Sequence, residues 1–298
     1  MRFTKMHGIG NDYVYVDAFS QTVANPEKLA PIIADRHTGV GADGLILVAP
    51  PTDAAQKQGA TVRMRMFNAD GSEAEMCGNG IRCVAKFAWD HNLSRQNPMK
   101  IETGRGVLAI DLTIDNGKVT MARVNMGPPV LDLEKIPVDV KWLGATNHPR
   151  IFQVPIGTSL GVQATFVSMG NPHATIYVDD VKKVDLEKIG PLIENHKAFP
   201  RRINVHFVQV HSPTEVTMRT WERGSGITRA CGTGAAAVCV SGVLTGKSGP
   251  HILAHLPGGN LTLDWNFIGA VGDATTSGDD SVFMTGPATE VFTGEWPE

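Results

Sequence analysis

Two cysteines of this 298-residue sequence stand in the same local context. Cys77 opens the motif Cys77-Gly78-Asn79-Gly80, and Cys231 opens Cys231-Gly232-Thr233-Gly234 about half a chain later. A cysteine thiolate is a good base and nucleophile, and glycine lets a ligand approach the backbone closely. One such cysteine suggests a nucleophile, whereas one in each half of the chain suggests a pair of proton carriers.

Each motif is followed by small or apolar residues at helical spacing. Ile81, Val84, Ala85 and Ala88 follow the first motif, and Ala235, Val238, Cys239 and Gly242 follow the second. This i, i+3, i+4, i+7 pattern predicts that each C-G-x-G opens a helix. The unpaired N–H groups and the positive dipole end at a helix start favour an anion and a thiolate.

Two such helix starts can invert a stereocentre. One cysteine, as thiolate, removes the α-proton of an amino acid, and the other, as thiol, returns a proton to the opposite face. The helix N-termini stabilise the carboxylate as it gains enolate character. The scheme needs no metal ion and no organic cofactor, and none is expected.

The other two cysteines, Cys83 and Cys239, fall inside the predicted helices. The electrostatic effect of the helix N-terminus does not extend that far into the helix. A buried cysteine most often serves as a small hydrophobic residue. We expect neither to act in turnover. Four cysteines in a chain of this length do not form a disulfide scaffold.

The elements that position these motifs are mostly short β-strands. Turn signals separate them, and helical patterns are fewer and interspersed, which favours an α+β fold with mainly antiparallel pairing. Two prolines after Gly127 place a domain boundary there, so residues 1–129 and 130–283 are expected to form two lobes. The predicted strand runs are 13–16, 45–48, 62–67, 107–114, 119–124, 175–178 and 205–210.

Composition argues against several classes of function. A net charge of −3 provides no basic surface for nucleic acid. The opening residues lack the apolar core of a secretion signal, and no apolar run reaches membrane-spanning length, so a cytoplasmic protein is expected. Residues 39–44 match the G-x-G-x-x-G dinucleotide motif, but a strand-like run follows where a helix is required, so no nucleotide site is expected.

The residues around both cysteines resemble those of one family. The segment NADGSEAEMCGNGIRC, residues 68–83, is similar to the first active-site signature of diaminopimelate epimerases, and WERGSGITRACGTGA, residues 221–235, is similar to the second. Further matches lie at residues 5–12, 171–173, 202–205 and 284–288. Together they span almost the whole chain.

The resemblance implies a fold and an activity. It implies two pseudo-symmetric lobes, each a mainly antiparallel barrel around a central helix, with the active site between them and the strand at 284–298 returning to the first lobe. It implies a homodimer that converts LL-2,6-diaminopimelate to the meso isomer for lysine and peptidoglycan synthesis.

The resemblance also implies roles for single residues. Cys77 and Cys231 would be the acid/base pair, assisted by His173 and Glu222. The backbone of four residues would hold the reacting carboxylate, and the remaining residues would bind the rest of the substrate. The substrate-binding set is Asn11, Asn68, Gly78, Asn79, Asn171, Asn204, Glu222, Arg223, Gly232 and Thr233.

Two positions depart from the family pattern. Gly44 stands where many members carry a glutamine that touches the substrate, and Ile227 stands where an acidic residue is usual. The first departure bears on one expected contact with the distal end of the substrate. Neither affects the cysteines.

Other functions remain open at this point. A proline or hydroxyproline epimerase would share the two cysteines but act on a ring substrate, whereas phenazine-biosynthesis isomerases lack the cysteine pair. A thiol redox protein is a third possibility, although no C-x-x-C motif occurs. A purely binding role would be insensitive to replacement of both cysteines. Taken singly, His173 and the asparagines are ordinary turn or packing residues.

Overall fold

β-strands form most of the chain. The computed structural model describes residues 1–156, 159–266 and 280–297. The strands are Arg2–Gly8 (β1), Asn11–Asp17 (β2), Gly44–Ala49 (β3), Val62–Asn68 (β4), Glu73–Ala74 (β5), Met99–Thr103 (β6), Gly106–Asp115 (β7), Lys118–Asn125 (β8), Gly144–Ala145 (β9), Phe152–Ile156 (β10), Ser159–Ser168 (β11), Pro172–Tyr177 (β12), Asn204–Ser212 (β13), Glu215–Glu222 (β14), Gly226–Thr228 (β15), His251–Leu256 (β16), Gly259–Trp265 (β17), Val282–Pro287 (β18) and Thr289–Glu295 (β19).

Five α-helices are interspersed among the described strands. They are Pro26–Ala34 (α1), Asp53–Gln56 (α2), Gly78–Asp90 (α3), Leu186–Glu194 (α4) and Gly232–Leu244 (α5). The helices α3 and α5 each have 13 residues and begin directly after a C-G-x-G cysteine, as the sequence predicts. Both helices are largely buried: ten of the 13 residues of α3 and twelve of the 13 residues of α5 are buried, and none of the remaining residues of α3 is fully exposed.

The chain divides into two compact units. One comprises Met1–Asn125 and Thr285–Glu298, and the other comprises Met126–Met284.

In the first unit the strands follow the spatial order β19-β1-β2-β3-β4-β6-β7-β8. The pairs β2–β3 and β4–β6 are parallel, and the other neighbours are antiparallel. Parallel neighbours need a crossover connection, and these two connections contain α1 and α3 respectively. Val14, Ile33, Leu45 and Phe67 contribute to the core between α1 and the strands.

In the second unit the order is β9-β10-β11-β12-β13-β14-β16-β17. The pairs β12–β13 and β14–β16 are parallel, and their connections contain α4 and α5. Phe166, Ile176, Ile193 and Phe207 belong to its core. The series β11 to β17 therefore repeats the pairing pattern of the series β1 to β7, with a short hairpin strand, β5 or β15, before each long helix.

The expected α+β class with mainly antiparallel pairing is confirmed. The seven predicted strand runs fall in β2, β3, β4, β7, β8, β12 and β13, and only Val178 lies one residue beyond its strand. Leu45–Val48 is strand β3, so the G-x-G-x-x-G motif is followed by a strand and not by a helix, as expected. Among the described residues, no helix combines the length and apolar character that crossing a membrane requires.

Candidate active site

Cys77 occupies the N-cap position of α3. Its backbone is extended, with φ −135° and ψ 120°, which places the side chain back over the first turn of the helix. The Gly80 N–H donates to Cys77 Sγ at 3.4 Å, and the thiol donates to Asn11 Oδ1, also at 3.4 Å. The predicted substrate-binding residue Asn11 therefore contacts the predicted acid/base residue directly.

The amide of Asn11 is held in one orientation. Asn11 Nδ2 donates to Asp43 Oδ2 at 2.7 Å, and Asp43 also accepts from the Asp12 N–H and from Arg36. Because the Asn11 NH₂ group donates a hydrogen bond to the Asp43 carboxylate, the amide oxygen, Oδ1, faces Cys77. Charge-assisted hydrogen bonds thus position the oxygen that accepts the hydrogen bond from the Cys77 thiol.

Arg82, in the second turn of α3, is fully buried and contacts the first turn of the same helix. Its guanidinium donates to Gly78 O at 3.2 Å, to Asn79 Oδ1 at 3.1 Å and to Pro287 O at 3.2 Å. The side chain of Asn79 is therefore turned into the protein, which leaves its backbone as the part available to a ligand. Burial lowers the pKa of Arg82.

Asn68, at the end of β4, is placed differently from the other predicted residues of the first unit. Its Nδ2 donates to Ser72 Oγ at 3.0 Å, and its backbone N–H donates to Ser72 O. This is the local turn bonding expected of an asparagine after a strand.

Cys231 caps α5 in the same extended conformation, with φ −130° and ψ 100°. It is only 4% exposed, whereas Cys77 is half-buried. Its sulfur lies 3.8 Å from Thr233 Oγ1. The two motifs thus produce the same backbone geometry with unlike side-chain surroundings.

A chain of hydrogen bonds runs beside Cys231. His173 Nε2 bonds to Asn171 Oδ1 at 2.9 Å, His173 Nδ1 to His206 Nε2 at 2.8 Å, and His206 Nδ1 to Thr220 Oγ1 at 3.0 Å. Since Asn171 Oδ1 accepts only, His173 carries its proton on Nε2 and accepts at Nδ1. His206 then carries its proton on Nε2, and the Thr220 hydroxyl donates to His206 Nδ1.

Both rings are neutral at physiological pH. His173 and His206 are fully buried in β12 and β13. Burial lowers the pKa of His206 to about 3, and burial, together with His206 and Arg223, lowers the pKa of His173 well below its usual range. His173 beside the thiol is therefore a neutral hydrogen-bonding group, not a cation.

The remaining predicted residues gather at the ends of β13 and β14. Asn204 is 3% exposed, donates to Pro172 O at 2.9 Å and accepts the Arg223 N–H at 3.0 Å. Arg223 Nη1 donates to Arg201 O, and Glu222 Oε1 accepts from the Thr228 hydroxyl at 2.5 Å. Asn204 thus joins strand β12 to the Glu222-Arg223 turn.

The second glycine of each motif has a packing role that the sequence interpretation missed. A Cβ at Gly234 would lie 2.3 Å from His206 Cε1 and 2.9 Å from Cys231 Sγ, and one at Gly80 would lie 2.9 Å from Ile46 Cδ1. At Gly234 a side chain would have to displace the fully buried His206 ring, so the packing there favours glycine. At Gly80 the nearest atom is the end of a flexible side chain, which can shift more easily.

Cys83 and Cys239 are fully buried inside their helices, where the sequence places them. Burial raises the pKa of Cys83 to about 11 and raises that of Cys239 still further. Both are thiols at physiological pH.

Comparison with known proteins separates the possible families. The sequence profile of the family described as diaminopimelate epimerase matches residues 3–131 and 165–291. A diaminopimelate epimerase of Methanococcus maripaludis is 48% identical over 295 residues, covering 99% of each chain, and one of Agathobacter rectalis is 47% identical over 298 residues, covering 99% of each.

The chain belongs to the diaminopimelate epimerase family.

Solved structures extend the likeness in fold beyond this family. A probable proline racemase from Agrobacterium radiobacter has a TM-score of 0.66 at 13% identity, covering 99% of this chain and 92% of that one. A PhzF-family phenazine biosynthesis protein from Bacillus anthracis has a TM-score of 0.68 at 17% identity, covering 100% and 99%. These identities show a shared fold alone.

Three buried polar residues near the site were not predicted from the sequence or from its resemblance to diaminopimelate epimerases. His206 pairs with His173, Arg82 supports the start of α3, and Glu194 accepts from the Trp221 indole at 2.7 Å and from the Gly224 N–H at 2.9 Å. His206 interrupts an otherwise apolar strand run, which is a signal available from sequence. Nothing in the sequence pairs Glu194 with Trp221 and Gly224, or Arg82 with Pro287.

Proposed function

We propose that this chain epimerises LL-2,6-diaminopimelate to meso-2,6-diaminopimelate without a cofactor, with Cys77 and Cys231 as the acid/base pair. The observation that carries the proposal is that both cysteines are N-caps of 13-residue helices with the same extended backbone. Membership of the diaminopimelate epimerase family supports the substrate.

The chemistry is a proton exchange at the α-carbon. One cysteine, as thiolate, takes the α-proton, and the electron pair of the C–H bond moves into the carboxylate as it becomes an enolate. The other cysteine, as thiol, gives its proton to the opposite face of the carbon, and the two residues end with exchanged protonation states. A positioned acid or base contributes about 10²–10⁴-fold to the rate.

The enolate carries two negative charges in its planar form, and backbone N–H groups are its proposed partners. Gly78 and Asn79 begin α3, and Gly232 and Thr233 begin α5, so their N–H groups are among those that a helix leaves without an internal acceptor. Donors already fixed in place cost no reorganisation when charge develops.

His173 and Glu222 are proposed to assist by hydrogen bonding. A neutral His173 leaves the proton transfer to Cys231 and does not compete as an acid. Asn171 orients His173 through Nε2. The remaining proposed substrate contacts are Asn11, Asn68, Asn204, Glu222 and Arg223.

The proposed recognition by Asn11 and Asn204 requires those side chains to serve two purposes. Asn204 already bonds to Pro172 O and to the Arg223 N–H, so its contribution to binding is proposed to be the placement of Arg223. Arg223 supplies a planar fork suited to a carboxylate.

We also propose that the units are two barrels around α3 and α5, that residues 1–129 with 284–298 and residues 130–283 form the lobes, and that the protein is a cytoplasmic homodimer without a nucleic-acid partner. The repeated pairing order supports the lobes. Val291 and Phe292, which are 54% and 48% exposed on β19, are the kind of apolar surface that a second subunit covers. Sedimentation analysis tests the dimer.

The function is tested with reduced protein, LL-diaminopimelate and deuterated water, without added cofactor. We expect meso product with deuterium at the inverted α-carbon. Cys77→Ala and Cys231→Ala are each expected to lower epimerisation by about 10²–10⁴-fold, whereas Cys239→Ala, which removes a sulfur from the interior of α5, serves as the matched control. Turnover of proline in place of diaminopimelate, or equal activity in all three variants, would reject the proposal.

A further inference from the structure

Three side chains beside the start of α5 form a set of metal ligands that the proposed reaction does not require. One ligand atom from each of His173, His206 and Cys231 lies within 4.8 Å of the others. All three residues are buried, at 0%, 0% and 4% exposure. Gly234 lets them converge, because any Cβ there would collide with both the His206 ring and Cys231 Sγ.

The two imidazoles are oriented as metal-ligating histidines are. His173 Nδ1 and His206 Nε2 face each other at 2.8 Å, while the outer nitrogens already have partners in Asn171 Oδ1 and Thr220 Oγ1. A ligating histidine characteristically donates its other N–H to such an acceptor. Two nitrogens on one tetrahedral Zn²⁺ lie about 3.3 Å apart, so the rings need to separate by only about 0.5 Å.

The two imidazoles can hold their protons on the outer nitrogens, which leaves the inner nitrogens available to a cation. His173 keeps its one proton on its outer nitrogen, Nε2. His206 moves its one proton from the inner Nε2 to the outer Nδ1, and the Thr220 hydroxyl turns to accept a hydrogen bond from it. Cys231 binds as thiolate and, if protonated, releases one proton to solvent. Two nitrogens and one sulfur suit Zn²⁺ and exclude the oxygen-seeking Mg²⁺ and Ca²⁺.

We propose that His173 Nδ1, His206 Nε2 and Cys231 Sγ form an inhibitory Zn²⁺ site, with water as the fourth ligand. The bound ion prevents Cys231 from transferring protons and replaces the hydrogen bond between the His173 and His206 rings. The binding is independent of the proposed function, whereas the inhibition rests on it. An inhibitory ion agrees with the expectation that catalysis needs no metal.

Binding is tested on the reduced full-length chain with Co²⁺ as a spectroscopic probe and with Zn²⁺ competing against a chromogenic chelator. We expect one Co²⁺ per chain, a thiolate-to-cobalt charge-transfer absorption, and displacement by Zn²⁺. His206→Gln keeps a polar group that reaches His173 and is expected to weaken Zn²⁺ binding by at least about 100-fold. Cys231→Ala is expected to lose the charge-transfer absorption.

The control is His255→Asn, because His255 lies near His211 and bonds to Glu215 on the exposed face of the same unit, where it offers a rival site. We expect unchanged Zn²⁺ affinity in this variant. Equal affinity in wild type and His206→Gln, loss of affinity in His255→Asn alone, or an absorption that persists in Cys231→Ala would overturn the site. Cys231→Ala decides the matter if His206→Gln does not fold.

Inhibition is measured separately, as epimerisation in metal-free buffer with Zn²⁺ added back. We expect activity to fall as the site fills, with the same concentration dependence as binding. Occupied Zn²⁺ with full activity overturns the inhibitory part of the proposal. If metal-free wild type does not turn over diaminopimelate, the proposed function fails while the binding measurement still tests the site.

Discussion

The two motif thiols are chemically unequal although their backbones are alike. Cys77 is half-buried and its proton is directed to Asn11, whereas Cys231 is buried beside two neutral imidazoles. Reagents that need access to sulfur will therefore distinguish them.

Alkylation should proceed in an order set by burial and charge state. We expect iodoacetamide at pH 8 to label Cys77 first, Cys231 more slowly, and Cys83 and Cys239 only after unfolding. With the pKa of Cys83 at about 11, only about one part in a thousand is thiolate at that pH. Peptide mass mapping over time checks the order, and early labelling of Cys83 in folded protein would contradict it.

Gly44 is held by its neighbours in a way that leaves no room for a longer side chain at this position. A Cβ at Gly44 would lie 2.1 Å from Phe67 O, on the paired strand β4. Gly44→Gln is therefore expected to destabilise the protein by about 1–3 kcal/mol, measured by urea unfolding. The control Ala69→Gln, in the exposed turn beside it, is expected to change stability by less than about 0.5 kcal/mol. An unchanged midpoint for Gly44→Gln would contradict the packing argument.

Part of the geometry of the candidate site can be predicted from sequence, and the residues that escape prediction have a common feature. The register of the motifs predicts Cys77 and Cys231 at the starts of long helices, and the positions of Cys83 and Cys239 inside those helices predict their burial, as the structure has them. His206 and Glu194 bond to residues on other elements, and Arg82 bonds to distant Pro287 in addition to neighbours within its own helix. Spacing along one chain does not encode such pairings.

At the scale of elements, the first turn of each long helix packs directly against the sheet. The helix α5 begins where Gly234 lies against the His206 ring of β13, and α3 begins where Gly80 lies against Ile46 of β3. Helical periodicity predicts where these helices begin, but it contains no information about how closely they approach a strand.

Gly234→Ala tests this contact. The added methyl group must displace the His206 ring or Cys231 Sγ, so we expect a loss of about 1–3 kcal/mol in the free energy of unfolding and a marked loss of epimerisation. Gly249→Ala is the matched control, because its Cβ would meet only Pro213 O, at 3.5 Å. Denaturation midpoints and rates are measured together. Wild-type values for Gly234→Ala would show that the helix start is not constrained.

At the scale of the whole molecule, the two units repeat one pairing order but differ in buried titratable groups. The second unit holds His173 and His206, both fully buried and neutral. A sequence-level echo of two motifs predicts the repeat. It does not predict this difference, because burial depends on how the strands pack.

This difference predicts acid sensitivity. The pKa of His206 falls from about 6.5 unfolded to about 3 folded, so the unfolded chain binds more protons between these values and stability decreases as pH falls below about 6.5. From pH 6.5 to 5 we expect about 2 kcal/mol to be lost through His206, with a further loss through His173. Urea unfolding across this range should be less pH-dependent in His206→Gln, and equal slopes would contradict the assignment. His251→Asn, an exposed histidine, is the control.

The chain from Thr220 through both rings to Asn171 has a fixed polarity, and that polarity is visible to magnetic resonance. Each ring holds its hydrogen on Nε2, so the nitrogen spectra of His173 and His206 should each show a single tautomer with slowly exchanging ring protons. Adding Zn²⁺ should move the His206 hydrogen to Nδ1 and leave that of His173 in place. The direction of these three hydrogen bonds thus becomes a readout of whether an ion occupies the site.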